Sequence, residues 1–282
     1  LMPQFKSGCR LQKKQSEPFV FTLLLFFGVL KNLIGEEFKM HVRDKLNMDM
    51  EGLIQNGPIT IVAFGDSVTH GALRANNNYE TVYWNVLKQK LNAVRDFIPV
   101  NVINAGIGGI TAKASLARME RDVLSHHPDL VIVCFALNDV NGTLEDYKEA
   151  MTEIFRACLD RGADVIFLTP NMMNTYLADD VPEEFREYAK LTENYQNSGK
   201  MDAFVAAGIE IAQQMHVTVC DCYKEWKKLY AEGVDTTKLL INRLNHPSPE
   251  MHRLFADKLF DCIMGTNTFE ANKPSSTMYQ GK

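Results

Sequence analysis

The sequence predicts an α/β protein in which a central parallel sheet is covered by helices on both faces. Residues 59–64, 130–135 and 164–168 are short, continuous apolar runs rich in Ile, Val and Phe, the pattern of strands buried on both faces. Between the first two runs the apolar spacing turns helical, as at Val82, Val86, Leu87 and Leu91. From residue 59 to residue 168 strands and helices alternate without exception, and strict alternation argues parallel pairing with crossover helices.

The elements follow in order. Phe38, Val42, Leu46 and Met50 recur at every fourth position, so one helix is expected across residues 36–54, ended by Asn56-Gly57-Pro58. After the first strand come a helix over 79–94 and a strand over 100–103, leading into Asn104-Ala105-Gly106-Ile107-Gly108-Gly109, whose glycines mark a tight turn. A helix over 112–124 stops near Pro128, and the third strand ends at Ala136-Leu137-Asn138-Asp139. A helix over 144–160 is closed by Arg161-Gly162 as a glycine cap, ahead of the fourth strand. Residues 171–200 break the rhythm with a polar, charged stretch holding Tyr176, Tyr188 and Tyr195, expected to be a partly helical insertion beside the carboxyl edge of the sheet. A helix over 201–215, a strand over 217–220, a helix containing Trp226 and a last helix over 249–263 complete the domain. The organisation is an N-terminal extension over 1–57, a core domain over 58–264 and a tail over 265–282.

Composition narrows the function. The 282 residues are 46% hydrophobic, ample for a sizeable core, and the net charge of −5 with a pI near 5.8 argues against a nucleic-acid partner. The six cysteines are scattered and several lie inside apolar runs, which reads as reduced, buried thiol. Cys220 and Cys222, one residue apart in a strand, are expected on opposite faces, so neither a metal nor any other cofactor is expected. Lys6, Arg10, Lys13 and Lys14 precede an apolar run over 19–30, too short for the roughly 20 residues that cross a bilayer and followed by no small-residue cleavage site. The leading reading is a packed element in a cytoplasmic protein, with membrane anchoring or export through 19–30 as alternatives.

The chemistry is expected where the strands end. Ser67 follows the first strand, Gly109 the second and Asn138 the third, and in a parallel sheet these ends share the edge where ligands bind. His246, in the loop before the last helix, can reach that edge. A serine hydroxyl becomes a nucleophile when a histidine takes its proton, and an acyl-transfer oxyanion needs preorganised donors. The Ser67 and Gly109 backbone amides and the Asn138 side chain are three such donors. A structural reading stands beside this one, with Ser67 as a helix N-cap and Asp66 accepting backbone hydrogen bonds in the turn. His70 is expected at the surface or on the substrate, and His252 packed or solvated in the last helix. Gly106-Ile107-Gly108 is no dinucleotide fingerprint, because Thr111 holds the third glycine position.

With Gly65-Asp66-Ser67, Asn104 through Gly109, Asn138-Asp139 and His246-Pro247 in that order across residues 58–264, the sequence resembles the SGNH hydrolases, also called GDSL-like esterases and lipases. The resemblance implies a flavodoxin-like three-layer α/β/α sandwich with a central parallel sheet of about five strands. It implies Ser67 as nucleophile, His246 as base, and Gly109 and Asn138 completing the oxyanion hole. Two positions depart from the family pattern: Ala136 stands where the family has Gly, and Arg243 where the family has its catalytic Asp. Asn242, Asn245 or a backbone carbonyl accepting the imidazole hydrogen would give a dyad, Asp235 folding back would supply a displaced acid, and an inactive site is the third reading. The expected function is a serine esterase that hydrolyses a short-chain ester, an acetyl ester on a small molecule or carbohydrate. Acyl transfer to a sugar hydroxyl and non-catalytic glycan or ester binding are the alternatives.

Overall fold

The computed structural model describes residues 41–72, 79–95 and 98–265. The expectations for the apolar run over 19–30 and for the tail beyond Gly265 fall outside the described residues. Five strands, β1 (Ile59–Gly65), β2 (Val100–Gly106), β3 (Leu130–Cys134), β4 (Asp164–Leu168) and β5 (Thr218–Cys220), form one parallel sheet in the order β2-β1-β3-β4-β5. The helices are α1 (His41–Leu46), α2 (Met50–Asn56), α3 (Ser67–His70), α4 (Tyr83–Asn92), α5 (Ala112–Ser115), α6 (Met119–Asp122), α7 (Leu144–Asp160), α8 (Glu183–Asn197), α9 (Lys200–Gln214), α10 (Cys222–Ala231) and α11 (Pro249–Met264). This is the expected α/β/α sandwich.

Burial follows from position in the sheet. Every residue of β3 and β4 is buried, as is β1 except at Thr60, whereas the edge strand β2 exposes Asn101. The helices pack in pairs, α4 on α11 and α7 on α9. Thr143 opens α7 by accepting the Asp146 amide, and one face of the helix buries Tyr147, Met151, Ile154, Phe155 and Cys158. Gly208 lets α9 approach, since a Cβ there would stand 2.7 Å from the Phe167 ring and the Tyr147 hydroxyl. Among the described residues no helix is long and apolar enough to cross a membrane.

Strand order also sets the site. The chain leaves β1 for β2 on one side and then crosses to β3 on the other, so the sheet's switch point lies at the carboxyl ends of β1 and β3, where a crevice opens. Ser67 and Asn138 follow those two strands.

Three elements differ from expectation. The helix over 36–54 is broken: Asp49 accepts the Gly52 amide at 2.8 Å and starts a new helix, so Val42 and Leu46 point inward while Met50 is 65% exposed. The helix over 112–124 divides into α5 and α6 with tight turns at Leu116–Arg118 and Leu124–His126, a path that carries the Arg118 side chain to the ends of β1 and β2. Cys220 and Cys222 do not face opposite ways, because Cys220 ends β5 and Asp221 caps α10. The chain leaves strand geometry between them and the thiols stand 3.9 Å apart.

Ala136 has φ +140°, a backbone conformation essentially reserved for glycine, and such strain costs about 1–3 kcal/mol. Ala136→Gly is therefore expected to stabilise the protein by about 1 kcal/mol after the added freedom of the unfolded chain is offset. Urea unfolding of the variant checks this through a higher midpoint at unchanged slope.

Candidate active site

The turn carrying Ser67 is shaped by what it touches. A Cβ at Gly65 would overlap the Thr69 hydroxyl and stand 2.6 Å from the Cys134 carbonyl oxygen, so only glycine lets α3 fold back on the end of β1. Asp66 caps α3 by accepting the Val68 amide at 2.9 Å, and Ser67 is the helix's first residue. Gly106 plays the same part for β2, where a Cβ would run into the His70 backbone. Asn104 joins the two blocks, accepting the Gly106 amide at 2.9 Å and donating to the His70 carbonyl at 3.2 Å.

The donors expected of an oxyanion hole line the same edge. Gly109 has φ +76°, which a side chain would strain. Asn138 donates one amide hydrogen to the Ile110 carbonyl at 3.1 Å, tying the loop after β3 to the loop after β2. Asp139 reinforces that tie by accepting the Ala112 amide at 2.8 Å. Among the described residues no acceptor takes the Ser67 or Gly109 backbone N–H.

His246 reaches this edge from a turn between α10 and α11. Leu240 and Pro247 form an isolated antiparallel bridge, and the Ile241 amide donates to the His246 carbonyl at 2.8 Å. The His246 Nε2 lies 2.9 Å from the Ser67 Oγ. The three residues considered for holding the ring lie elsewhere. Asn242 Oδ1 accepts the backbone amides of Leu244, Asn245 and His246 at 3.1, 3.0 and 2.9 Å, and its Nδ2 donates to Asn245 Oδ1 at 3.0 Å. Asp235 accepts from the Tyr176 hydroxyl at 2.9 Å. Asn242 thus clamps the backbone of the turn rather than the imidazole.

Arg243 has φ +59° and turns outward, pairing with Asp180 at 3.0 Å and donating to the Lys238 and Leu240 carbonyls. It binds the turn to the 171–200 segment, which also holds the far side: Asn171 donates to the Asn245 carbonyl at 2.8 Å, and the Asn174 amide to the Leu244 carbonyl at 2.8 Å.

Burial sets the electrostatics. It pushes the Asp66 carboxyl up to about 7 and the Asp139 carboxyl up to about 6, and the Asp139 carboxylate nearby raises Asp66 further. Burial holds His246 down at about 4, so its ring is neutral at ordinary pH. Among the described residues no three His, Cys, Asp or Glu side chains are grouped to hold a metal. A cavity of about 530 Å³ lined by Cys220, Asp221, Lys258 and Cys262 contains none of these site residues.

One structural residue was not legible in the sequence. Arg118 is 7% exposed and donates to the Ala105 carbonyl at 2.7 Å, the Gly65 carbonyl at 3.3 Å and the Ser115 hydroxyl at 3.3 Å, with its guanidinium 4.7 Å from the Phe64 ring centroid. It sews the ends of β1 and β2 together beneath the site. The only sequence signal was Asp122 four residues on, its partner at 3.2 Å, and that spacing is equally common on solvated helices.

Ser67 and His246 thus stand side by side at the switch point of an α/β/α sandwich whose sheet has the strand order β2-β1-β3-β4-β5. Residues 63–254 match the GDSL-like lipase/acylhydrolase family. The chain belongs to that family, one of carboxylic ester hydrolases. Similar solved structures include Axe2, an acetylxylan esterase from Geobacillus stearothermophilus, at 21% identity and TM-score 0.57 over 73% of this chain and 94% of that one. The acetyl xylan esterase AlAXEase is 24% identical with TM-score 0.57, over 73% of this chain and all of that one. At these identities the likeness establishes the fold. The chain is also similar to the uncharacterized lipoprotein YqeF of Bacillus subtilis (strain 168), 33% identical over 98 residues, which are 34% of this chain and 38% of that protein's length.

Arg118→Met removes several charge-assisted hydrogen bonds from a buried position and is expected to cost about 2–4 kcal/mol. Chemical denaturation reads this directly, and a loss within 0.5 kcal/mol of zero, roughly the range of ordinary surface substitutions, would contradict the role given to Arg118.

Proposed function

We propose that the chain is a serine esterase that removes a short acyl group, acetyl, from a carbohydrate through an acyl-enzyme on Ser67. The observation that carries the reading is the 2.9 Å separation of Ser67 Oγ and His246 Nε2 at the sheet's switch point. Ser67 Oγ attacks the ester carbonyl as its proton passes to His246 Nε2. The tetrahedral oxyanion is held by the Ser67 and Gly109 amides and by the second amide hydrogen of Asn138. Collapse expels the alcohol, which takes the proton back from His246, and water then cleaves the acyl-enzyme by the same route with acetate leaving. The short acyl group and the sugar are supported by the acetylxylan esterases that share the fold.

The base works as a dyad partner in this reading. Accepting the serine proton at Nε2 requires the resting ring to carry its hydrogen on Nδ1. The ring is held by its backbone, which Asn242 clamps through three amides. Asn242 is therefore the positioning residue that stands in for the family's carboxylate. The likeness to a lipoprotein supports the exported or membrane-anchored alternative for the residues ahead of the domain.

Ser67→Ala is expected to lower turnover of p-nitrophenyl acetate by at least about 10³-fold, and His246→Ala to slow labelling of Ser67 by a fluorophosphonate to a similar degree. Parent-rate hydrolysis by Ser67→Ala would sink the proposal. Because His246 acts as a base only when neutral, kcat/KM should fall as pH drops through about 4 rather than through the usual 6.5, which a pH–rate profile tests.

Asn242→Ala should lower kcat about 10- to 100-fold with little change in KM. Asn242→Asp keeps the acceptor oxygen, so it should retain most of kcat while moving the acid limb to higher pH, because a carboxylate nearby favours imidazolium. Equal losses in both variants with an unmoved limb would remove the positioning role.

A further inference from the structure

Beside Ser67 lies a row of rings that the ester-cleaving steps do not use. His70, the last residue of α3, has its ring centroid 6.4 Å from that of Tyr79 with an interplanar angle of 32°, and Tyr79 lies 6.4 Å from Trp84 at 35°. The small, repeated tilt makes them a shelf instead of an edge-to-face core cluster. Tyr79 is 43% exposed, although a ring of that size ordinarily buries its surface. Trp84 is fixed in place by its Nε1, which donates to the Thr69 carbonyl at 2.8 Å, and is partly buried against the core. The Tyr79 hydroxyl stands 3.5 Å from His70 Nε2.

The shelf is continuous with the nucleophile. Gly108 lies between them: a Cβ built on it would stand 3.9 Å from the Ser67 Cβ and 3.8 Å from His70 Nδ1. The missing side chain leaves an open floor leading from the serine to the rings. Nδ1 of His70 faces that floor, a hydrogen-bonding atom at the end of the path that leads away from Ser67.

Tilted aromatic faces with a hydrogen-bonding nitrogen at one end match one kind of group well, a ring with an apolar C–H face and hydroxyls at its rim. We propose that His70, Tyr79 and Trp84 form the subsite for the pyranose ring of the substrate, with Tyr79 stacking on the sugar and His70 hydrogen-bonding a hydroxyl next to the acetylated oxygen. This inference rests on the reading of Ser67 as the nucleophile of a carbohydrate esterase, and it assigns the alcohol side of the same substrate.

The test compares a glucose monoacetate, whose other hydroxyls are free, with ethyl acetate, which carries the same acyl group on an alcohol without a ring. Tyr79→Ala should lower the preference for the sugar ester, taken as the ratio of the two kcat/KM values, by about 10-fold, mainly through KM for the sugar ester. Tyr79→Phe keeps the ring and should hold the parent ratio. An unchanged ratio in Tyr79→Ala, or an equal loss in Tyr79→Phe, overturns the stacking subsite. Parent protein that cleaves ethyl acetate yet shows no preference for acetylated glucose fails the carbohydrate reading itself, and that failure is visible before any variant is made.

Discussion

Two glycines carry the architecture of the site. Gly65 and Gly106 end neighbouring parallel strands, and both lie where α3 presses against the sheet so closely that a methyl group would collide with backbone or with Thr69. That contact puts Ser67 over the switch point with its amide free of the strand ladder. Around it, Asn104 links β2 to α3, Arg118 links β1 to β2 from below, and Asn138 and Asp139 link the loop after β3 to the loop after β2. Each link joins a different pair of elements, so the three expected oxyanion donors are held by the folded core and not by their own loops.

The charges nearby follow from the same packing. Asp66 and Asp139 each spend one carboxylate oxygen on a backbone amide, while the second, buried, has no hydrogen-bond partner among the described residues. Burial therefore favours their protonated forms, and the stability these groups contribute is present below the unfolded value near 4 and lost as pH rises toward about 6 to 7. His246 runs the other way. Its lowered value means that its contribution is present above the unfolded value near 6.5 and is lost as pH falls toward about 4. Between those limits the two effects oppose each other, which flattens the dependence of folding on pH through the weakly acidic range.

The sheet was legible because its strands are buried on both faces, so Ile59 to Phe64 and Leu130 to Cys134 read as unbroken apolar runs with no helical alternative. The residues at the strand ends were legible because parallel topology makes position along the chain equivalent to position on one edge. Other features depend on long-range contact. Asn47 to Asp49 could not be told from helix, since the four-residue period of Phe38 to Met50 runs through it and only the Asp49 side chain marks the break. Arg118 looked like any charged helical residue, because burial of a guanidinium depends on carbonyls 13 and 53 residues away. The thiols of Cys220 and Cys222 meet because β5 ends at Cys220 and Asp221 caps α10, so the two cysteines do not share one strand. Asn242 was noticed for its nearness to His246, but a single oxygen serving three backbone amides is a property of the turn's closed shape, which no local pattern specifies.

The closed turn has a wider consequence. A catalytic imidazole held by a carboxylate depends on a second ionisable group, and acid that protonates the carboxylate also releases the ring. Asn242 offers an acceptor that cannot titrate, bonded only to main-chain amides that cannot titrate either. In the proposed mechanism the placement of His246 would then depend on no second titrating side chain within its own turn. A turn closed on an uncharged acceptor gives up the electrostatic support a carboxylate would lend and gains, in the same exchange, a geometry indifferent to acid.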